Sequence, residues 1–175
     1  GLQGAGALYV RKGVPIQPMI FGGPQEHRLR AGTEGVSGIV ALGAAAEAAL
    51  RERVGSEPGR IRLLRDHLEQ GLRRRIPESE VNGHPTRRLD GTLHMSFLGC
   101  DGETLLMALD LAGICASTGS ACASGSIEPS HVLRAMGFSA HRTQNSIRFS
   151  LGAGNTVDDV DDALDRLPRV VEKLR

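Results

Sequence analysis

Residues 92–113 read TLHMSFLGCDGETLLMALDLAG, and this stretch contains a strand pattern followed by a helix pattern. In Thr92–Phe97 apolar and polar side chains alternate, which is typical of a strand with one buried face. The segment from Gly102 to Ala112 has a helical pattern, and Gly113 is a common residue at a helix C-terminus. The short apolar run 114–118 then predicts a second strand. A strand, a helix and a strand in succession indicate an α/β fold.

The flanking segments extend this alternation of helices and strands. Helices are predicted over 33–54, 58–76 and 130–137, and strands within 4–11 and over 146–151. Residues 13–32 are rich in Gly and Pro and are expected to be irregular. Thr156 and Asp159 resemble a capping box at the start of the last helix, and Pro168 predicts a kink or a restart within it. Together these elements predict a compact sheet with helices packed on it.

The composition excludes several classes of function. The 175 residues are 40% hydrophobic and 23% charged, as in an ordinary globular protein, and the net charge is +1. With a net charge so close to zero, the protein has no strong positive electrostatic field that would attract nucleic acid or anionic lipid. No apolar run has the length of a membrane span and no signal-peptide pattern is visible, so we expect a cytoplasmic protein with neither a nucleic-acid nor a membrane partner.

Three cysteines, Cys100, Cys115 and Cys122, are too few and too unevenly spaced for a disulfide framework or a zinc site. Cys122 lies among Ser, Ala and Gly residues, none of which is large enough to cover a sulfur atom. A free thiol has a pKa of roughly 8.5, so a few per cent is thiolate at neutral pH, which suffices if a substrate sulfur is delivered to it. A nucleophile and a structural cysteine in a linker both fit this pattern. For Cys100, beside a turn, and Cys115, in an apolar run, a structural role is favoured.

Two further residues are candidates for binding anions. Arg148 alternates with Ile147 and Phe149 in a predicted strand, so its side chain faces away from theirs. If that face lines a cleft, the guanidinium can bind a substrate carboxylate through two hydrogen bonds; the alternative is a surface arginine on an edge strand. Arg30 and the hydroxyl of Thr33, at a predicted helix start, are suited to an anion such as phosphate.

Taken together and in order, the motifs of this chain resemble the cysteine desulfurases of iron–sulfur cluster assembly and nitrogen fixation, which are class-V aminotransferase relatives. The similarity runs from Gly4 to the C-terminus. The motifs that carry it are GALYVR (6–11), GGPQE (22–26), RAGTE (30–34), STGSACASG (117–125), EPSHVL (128–133) and SIRFSLG (146–152). No single motif is as specific as their shared order.

The resemblance implies a homodimeric fold-type-I pyridoxal-phosphate enzyme that converts L-cysteine to L-alanine. It assigns residues 1–50 to the end of the large cofactor domain with a bridging helix, and residues 51–175 to the small C-terminal α/β domain. By motif, Cys122 is the nucleophile and carries the persulfide. Through this persulfide it would also be a transient ligand of an iron–sulfur cluster. Arg148 would hold the substrate carboxylate, and Thr33 the cofactor phosphate of the partner subunit. The sulfur would pass to an iron–sulfur scaffold or another acceptor protein, and the small residues around Cys122 resemble the group with a long cysteine loop.

Two departures from the family pattern bear on activity. The family's Ser-His-Lys motif, with its cofactor-binding lysine, would fall before Gly1, and the ring-stacking histidine and ring-pairing aspartate also lie outside these residues. The sequence Gly1-Leu2-Gln3-Gly4 stands where Gly-Pro-Lys-Gly is usual. We therefore expect a portion of a longer enzyme that is inactive alone and that exposes the apolar face of helix 33–54.

Two other functions remain open on the sequence alone. One is a non-catalytic interaction module that docks on sulfur-acceptor proteins or pairs with an intact subunit. The other is a different fold-type-I enzyme, such as a selenocysteine lyase or an aminotransferase, whose activity would not depend on Cys122.

Overall fold

The computed structural model describes residues 2–55, 59–119 and 130–175, and the chain divides into two compact units, Gly1–Pro58 and Gly59–Arg175. Each unit is described by itself. The assignment of residues 1–50 and 51–175 to the large and small domains of an enzyme stays a prediction.

The first unit contains one long helix, α1 (Val36–Gly55), preceded by irregular chain with a single 3-10 turn at Glu26–Arg28. The strand predicted within residues 4–11 is wrong. These residues are extended chain without strand pairing, and Tyr9 is 89% exposed. An apolar run becomes a strand only when a neighbouring strand pairs with it, and the described part of this unit offers none. Four apolar residues of α1, Val36, Ile39, Val40 and Leu50, are exposed as predicted.

The second unit contains a three-stranded antiparallel sheet in the order β1 (Ser79–Val81), β2 (Thr92–Phe97), β3 (Ser146–Ser150). Its helices are α2 (Arg60–Arg75), α3 (Gly102–Leu111), α4 (His131–Ala135), α5 (Ala140–Gln144) and α6 (Val157–Leu174). Helix α6 packs against α2 and α3, and these two also contact the sheet. The predicted strands 92–97 and 146–151 and the helix beginning at Gly102 are thus confirmed. None of the helices in the described ranges is long and apolar enough to cross a membrane.

One face of the sheet forms the core and the other carries polar side chains. Leu93, Met95 and Phe97 alternate along β2 and are fully buried. From β3, Ile147 and Phe149 join them, and the rings of Phe97 and Phe149 meet edge to face at 6.5 Å. Because side chains alternate along a strand, the residues between them project from the opposite face. That face carries the candidate site.

The final helix begins with the predicted capping box. The Thr156 hydroxyl accepts a hydrogen bond from the Asp159 backbone, and the Asp159 carboxylate accepts one from the Thr156 backbone. Of the kink or restart predicted at Pro168, the restart does not occur, because α6 continues to Leu174, and the kink stays a prediction. A proline leaves the carbonyl four residues earlier without its helical donor. Here that carbonyl belongs to Leu164 and accepts a hydrogen bond from the Arg75 guanidinium, so the lost bond is replaced from α2.

The remaining differences from prediction concern short elements. Strand β1 and helix α5 were not predicted, and residues 114–118 do not form a strand, apart from one bridge between Ser117 and Arg148. Cys115, expected in an apolar strand, is therefore exposed. Cys100 is buried against the C-terminal helix, as a structural cysteine would be.

Candidate functional site

The three predicted site residues fall in different parts of the chain. Cys122 lies outside the described residues, which resume at Ser130 after Gly119. Thr33 belongs to the first unit and Arg148 to the second, so each is described within its own unit.

Arg148 is held on both sides by backbone pairing. Across the sheet it pairs with His94 of β2. On the other side its backbone N–H donates to the Ser117 carbonyl at 2.6 Å, and the Ser117 N–H donates back to the Arg148 carbonyl at 3.0 Å. The guanidinium Nη1 then donates to the Gly119 carbonyl at 3.2 Å, and the Gly119 N–H donates to the Ser117 hydroxyl. The side chain therefore reaches the residue three positions before Cys122.

The guanidinium of Arg148 is half-buried, and the described part of the chain gives it no acidic counterion. Among the residues that the structure describes, no carboxylate lies within 4.0 Å of it, and its Nε atom is buried without a hydrogen-bond partner. Because no carboxylate neutralises it, this guanidinium can attract an anion. Its N–H groups lie in one plane and can form two parallel hydrogen bonds with the two oxygens of a carboxylate.

His94 projects from the same face of the sheet, beside Arg148. Its Nδ1 lies 3.0 Å from the side-chain nitrogen of Asn82. Burial, and after it the positive charge of Arg148, lower the pKa of His94 from its usual 6.5 to about 4. The imidazole is therefore neutral at pH 7, and it adds no positive charge next to the arginine.

A buried polar network lies beneath His94. Asn82 Nδ2 lies 2.8 Å from the Ser96 hydroxyl and 3.0 Å from that of Ser146, and the two hydroxyls lie 2.8 Å apart. Arg142 Nε donates to Asn82 Oδ1 at 2.8 Å, and Ser146 donates to the Arg142 carbonyl at 2.6 Å. Because these polar atoms satisfy one another, the network is held in one arrangement.

The outer end of this network is also anchored. The Arg142 guanidinium forms an ion pair with Glu80 at 2.5 Å and lies 4.3 Å from the centre of the Phe138 ring. It further donates to the Val81 carbonyl at 2.9 Å. Strand β1 and helix α5, the two elements missed from the sequence, thus hold Asn82 and through it His94.

Thr33 lies in a pocket of about 520 Å³ within the first unit. Arg30 and Gly32 also line the pocket, and α1 begins at Val36, three residues beyond Thr33. A hydroxyl, a guanidinium and the unpaired N–H groups of a helix start are the donors that a phosphate requires. These donors suit the phosphate end of pyridoxal phosphate, and the carboxylates of Glu26 and Glu34, which also line the pocket, oppose it. The pocket does not fit the aldehyde end, since no lysine is among its lining residues.

A metal site is not found in the described part of the chain, where no three His, Cys, Asp or Glu side chains are placed to share an ion. The proposed iron–sulfur role of Cys122 falls outside that part.

A family model of class-V aminotransferases matches residues 1–163 of the chain. The chain belongs to the class-V aminotransferase family. It is 50% identical to a cysteine desulfurase of Cereibacter sphaeroides over 175 residues, covering all of this chain and 44% of that protein. It is also 50% identical to the cysteine desulfurase IscS of Methanosarcina thermophila, covering all of this chain and 43% of that protein. This class-V aminotransferase chain thus spans less than half the length of these two relatives.

The solved structures agree with this membership. A NifS-like protein matches with a TM-score of 0.81 at 36% identity, over 94% of this chain and 41% of the other. The predicted fold class, a portion of a fold-type-I pyridoxal-phosphate enzyme, is confirmed by this likeness and by the mixed helices and sheet of the structure.

Sequence reasoning missed His94 and Asn82 as members of the Arg148 site. The alternation in Thr92–Phe97 already placed His94 on the polar face of its strand. Only the strand register, however, sets it opposite Arg148. Asn82 directly follows β1, an element that the sequence did not predict.

Proposed function

We propose that this chain is the C-terminal portion of a pyridoxal-phosphate-dependent cysteine desulfurase. The full enzyme removes sulfur from L-cysteine, leaves L-alanine, and carries the sulfur as a persulfide on Cys122. The observation that carries the proposal is Arg148, a half-buried guanidinium that has no carboxylate neighbour in the described ranges and is hydrogen-bonded to Gly119, three residues before Cys122 in the sequence. The names of the two similar proteins support the same reaction.

Arg148 binds the α-carboxylate of L-cysteine in this proposal. Its Nη1 is used by the Gly119 carbonyl, and the other N–H groups of the guanidinium remain for two parallel hydrogen bonds to the carboxylate. His94 beside it is neutral. It therefore does not attract the carboxylate away from Arg148, and it does not reduce the positive potential of the guanidinium.

Cys122 accepts the sulfur. Its thiolate attacks the sulfur atom of the bound substrate, an S–S bond forms, and the substrate C–S bond breaks. The substrate carbon keeps the electron pair of that bond and gains a proton, which gives alanine. When bound, pyridoxal phosphate supplies the electron sink that makes this carbon a good leaving group.

Thr33 contributes to the cofactor site through its hydroxyl, which binds the phosphate of the cofactor in the partner subunit. This assignment requires a homodimer, and the cofactor-binding lysine would be the one that the family resemblance places before Gly1. We assign residues 1–50 to the large domain and residues 51–175 to the small domain.

The persulfide on Cys122 passes to an iron–sulfur scaffold or another sulfur-acceptor protein, and in doing so Cys122 can act as a transient cluster ligand. We place the enzyme in the cytoplasm, where a reducing environment keeps thiols free. The free thiols of Cys100 and Cys115 agree with that location.

Alanine release from L-cysteine by the full-length protein, with a thiol reductant as acceptor, tests the proposal. The Cys122→Ser variant should fall to the background rate, because a serine hydroxyl cannot form a persulfide. The matched control is Cys115→Ser, which alters an exposed thiol in the same unit and should leave the rate unchanged. Wild-type release by Cys122→Ser would refute the role of Cys122 and favour a lyase or aminotransferase reaction.

A further inference from the structure

Two side chains from the polar face of the sheet lie beside Gly119. Arg148 Nη1 donates to its carbonyl, and His94 Nε2 lies 3.1 Å from the point where a Cβ atom at position 119 would stand. The backbone of Gly119 also has φ +97°, a conformation that favours glycine. The main chain therefore passes His94 and Arg148 at Gly119, two residues after its pairing with the sheet at Ser117.

The orientation of His94 follows from its hydrogen bonds. Arg142 Nε can only donate, so the Asn82 atom that it contacts must be the carbonyl oxygen. The amide nitrogen of Asn82 therefore faces His94 and donates to Nδ1. Nδ1 must then be unprotonated, and in the neutral ring the proton sits on Nε2, the atom that faces Gly119. Arg142 thus fixes the side-chain amide of Asn82, and Asn82 fixes the ring of His94 with its Nε2 on the side of Gly119.

We propose that His94, oriented by Asn82, is a positioning residue that fixes Gly119, and with it the start of the segment that carries Cys122. This inference rests on the proposed desulfurase function and names a residue that acts through Gly119 rather than on the substrate. Cys122 is three residues further along the chain, so a displaced Gly119 displaces the start of that segment. Misplacement of a reacting group by about 1 Å can cost on the order of 100-fold in rate.

The first test measures single-turnover persulfide formation on Cys122 in the full-length holoenzyme. His94→Ala should slow this step by about 10-fold or more, while the KM for cysteine and the cofactor absorbance stay unchanged. His94→Gln should recover most of the rate, because its amide oxygen can accept from Asn82 and its side chain still fills space beside Gly119. A wild-type rate in His94→Ala overturns the proposal, and so does a loss that appears mainly in KM.

The second test does not depend on catalysis. Alkylation of Cys122 by iodoacetamide, followed by peptide mass spectrometry, reports how the segment is presented in wild type, His94→Ala, Gly119→Ala and the double variant. A methyl group at position 119 would press on the His94 ring, so removal of the ring should relieve part of the Gly119→Ala effect. If the two substitutions change the alkylation of Cys122 additively, His94 and Gly119 do not influence each other and the proposal fails.

The two tests separate the two proposals. If the wild-type protein releases no alanine while the alkylation effects are non-additive, the desulfurase function fails and the positioning of Gly119 by His94 stands. If alanine is released and the alkylation effects are additive, the function stands and the positioning role fails.

Discussion

The two units of this chain differ in how they bury apolar side chains. In Gly59–Arg175 the sheet and the helices α2, α3 and α6 enclose a continuous core that includes Leu72, Leu93 and Leu105, each with no exposed surface. In residues 2–51 of the first unit no described side chain is buried. Because burial of apolar surface is the main stabilising term in folding, the second unit can hold its own fold. The first unit has no such core among its described residues.

Leucine truncation in the two units is the strongest way to test that difference. In the 175-residue chain, Leu72→Ala in α2 should lower the free energy of unfolding by about 2–5 kcal/mol, because it leaves a cavity in the core. Leu50→Ala in α1, where the leucine is 61% exposed, should change it by less than about 0.5 kcal/mol. Urea denaturation followed by circular dichroism measures both. Equal decreases in the free energy of unfolding at the two positions would contradict the proposed difference between the units.

Acid titration tests the polar face of the second unit, with a smaller expected effect. The pKa of His94 is about 4 in the fold and near 6.5 in the unfolded chain, so above pH 6.5 the residue is neutral in both states. Between pH 6.5 and 4 the unfolded chain binds a proton that the folded chain does not, so stability falls with the pH. The loss from this residue is at most about 3 kcal/mol and levels off below pH 4.

The control for this titration is His94→Gln, which has no ionisable group at position 94. The difference in unfolding free energy between wild type and this variant should shrink or reverse as the pH falls from 6.5 to 4. Parallel curves over that window would mean that His94 titrates normally in the fold.

Local patterns predicted most of the second unit. The alternation in Thr92–Phe97 and the capping box at Thr156 are decided by neighbouring residues, and the structure shows both. Arg148 also faces away from Ile147 and Phe149, as expected from strand geometry. These features need no knowledge of distant contacts.

The failures concern features that depend on distant partners. The predicted restart at Pro168 ignored Arg75 of another helix, and the predicted strand within residues 4–11 lacked a partner in its unit. His94 became part of the site only through the register of β2 against β3. The roles of Cys122, Arg148 and Thr33 came from motif resemblance and stay predictions.

The most direct test of the proposed chemistry follows the sulfur itself. The full-length holoenzyme is incubated with L-cysteine carrying a heavy sulfur isotope, without reductant, and its cysteine-containing peptides are analysed by mass spectrometry. The account predicts one labelled sulfur atom on the peptide that contains Cys122, released on reduction, and none on the peptide that contains Cys115. Alanine formation with no label on Cys122, or with the label on Cys115, would contradict it.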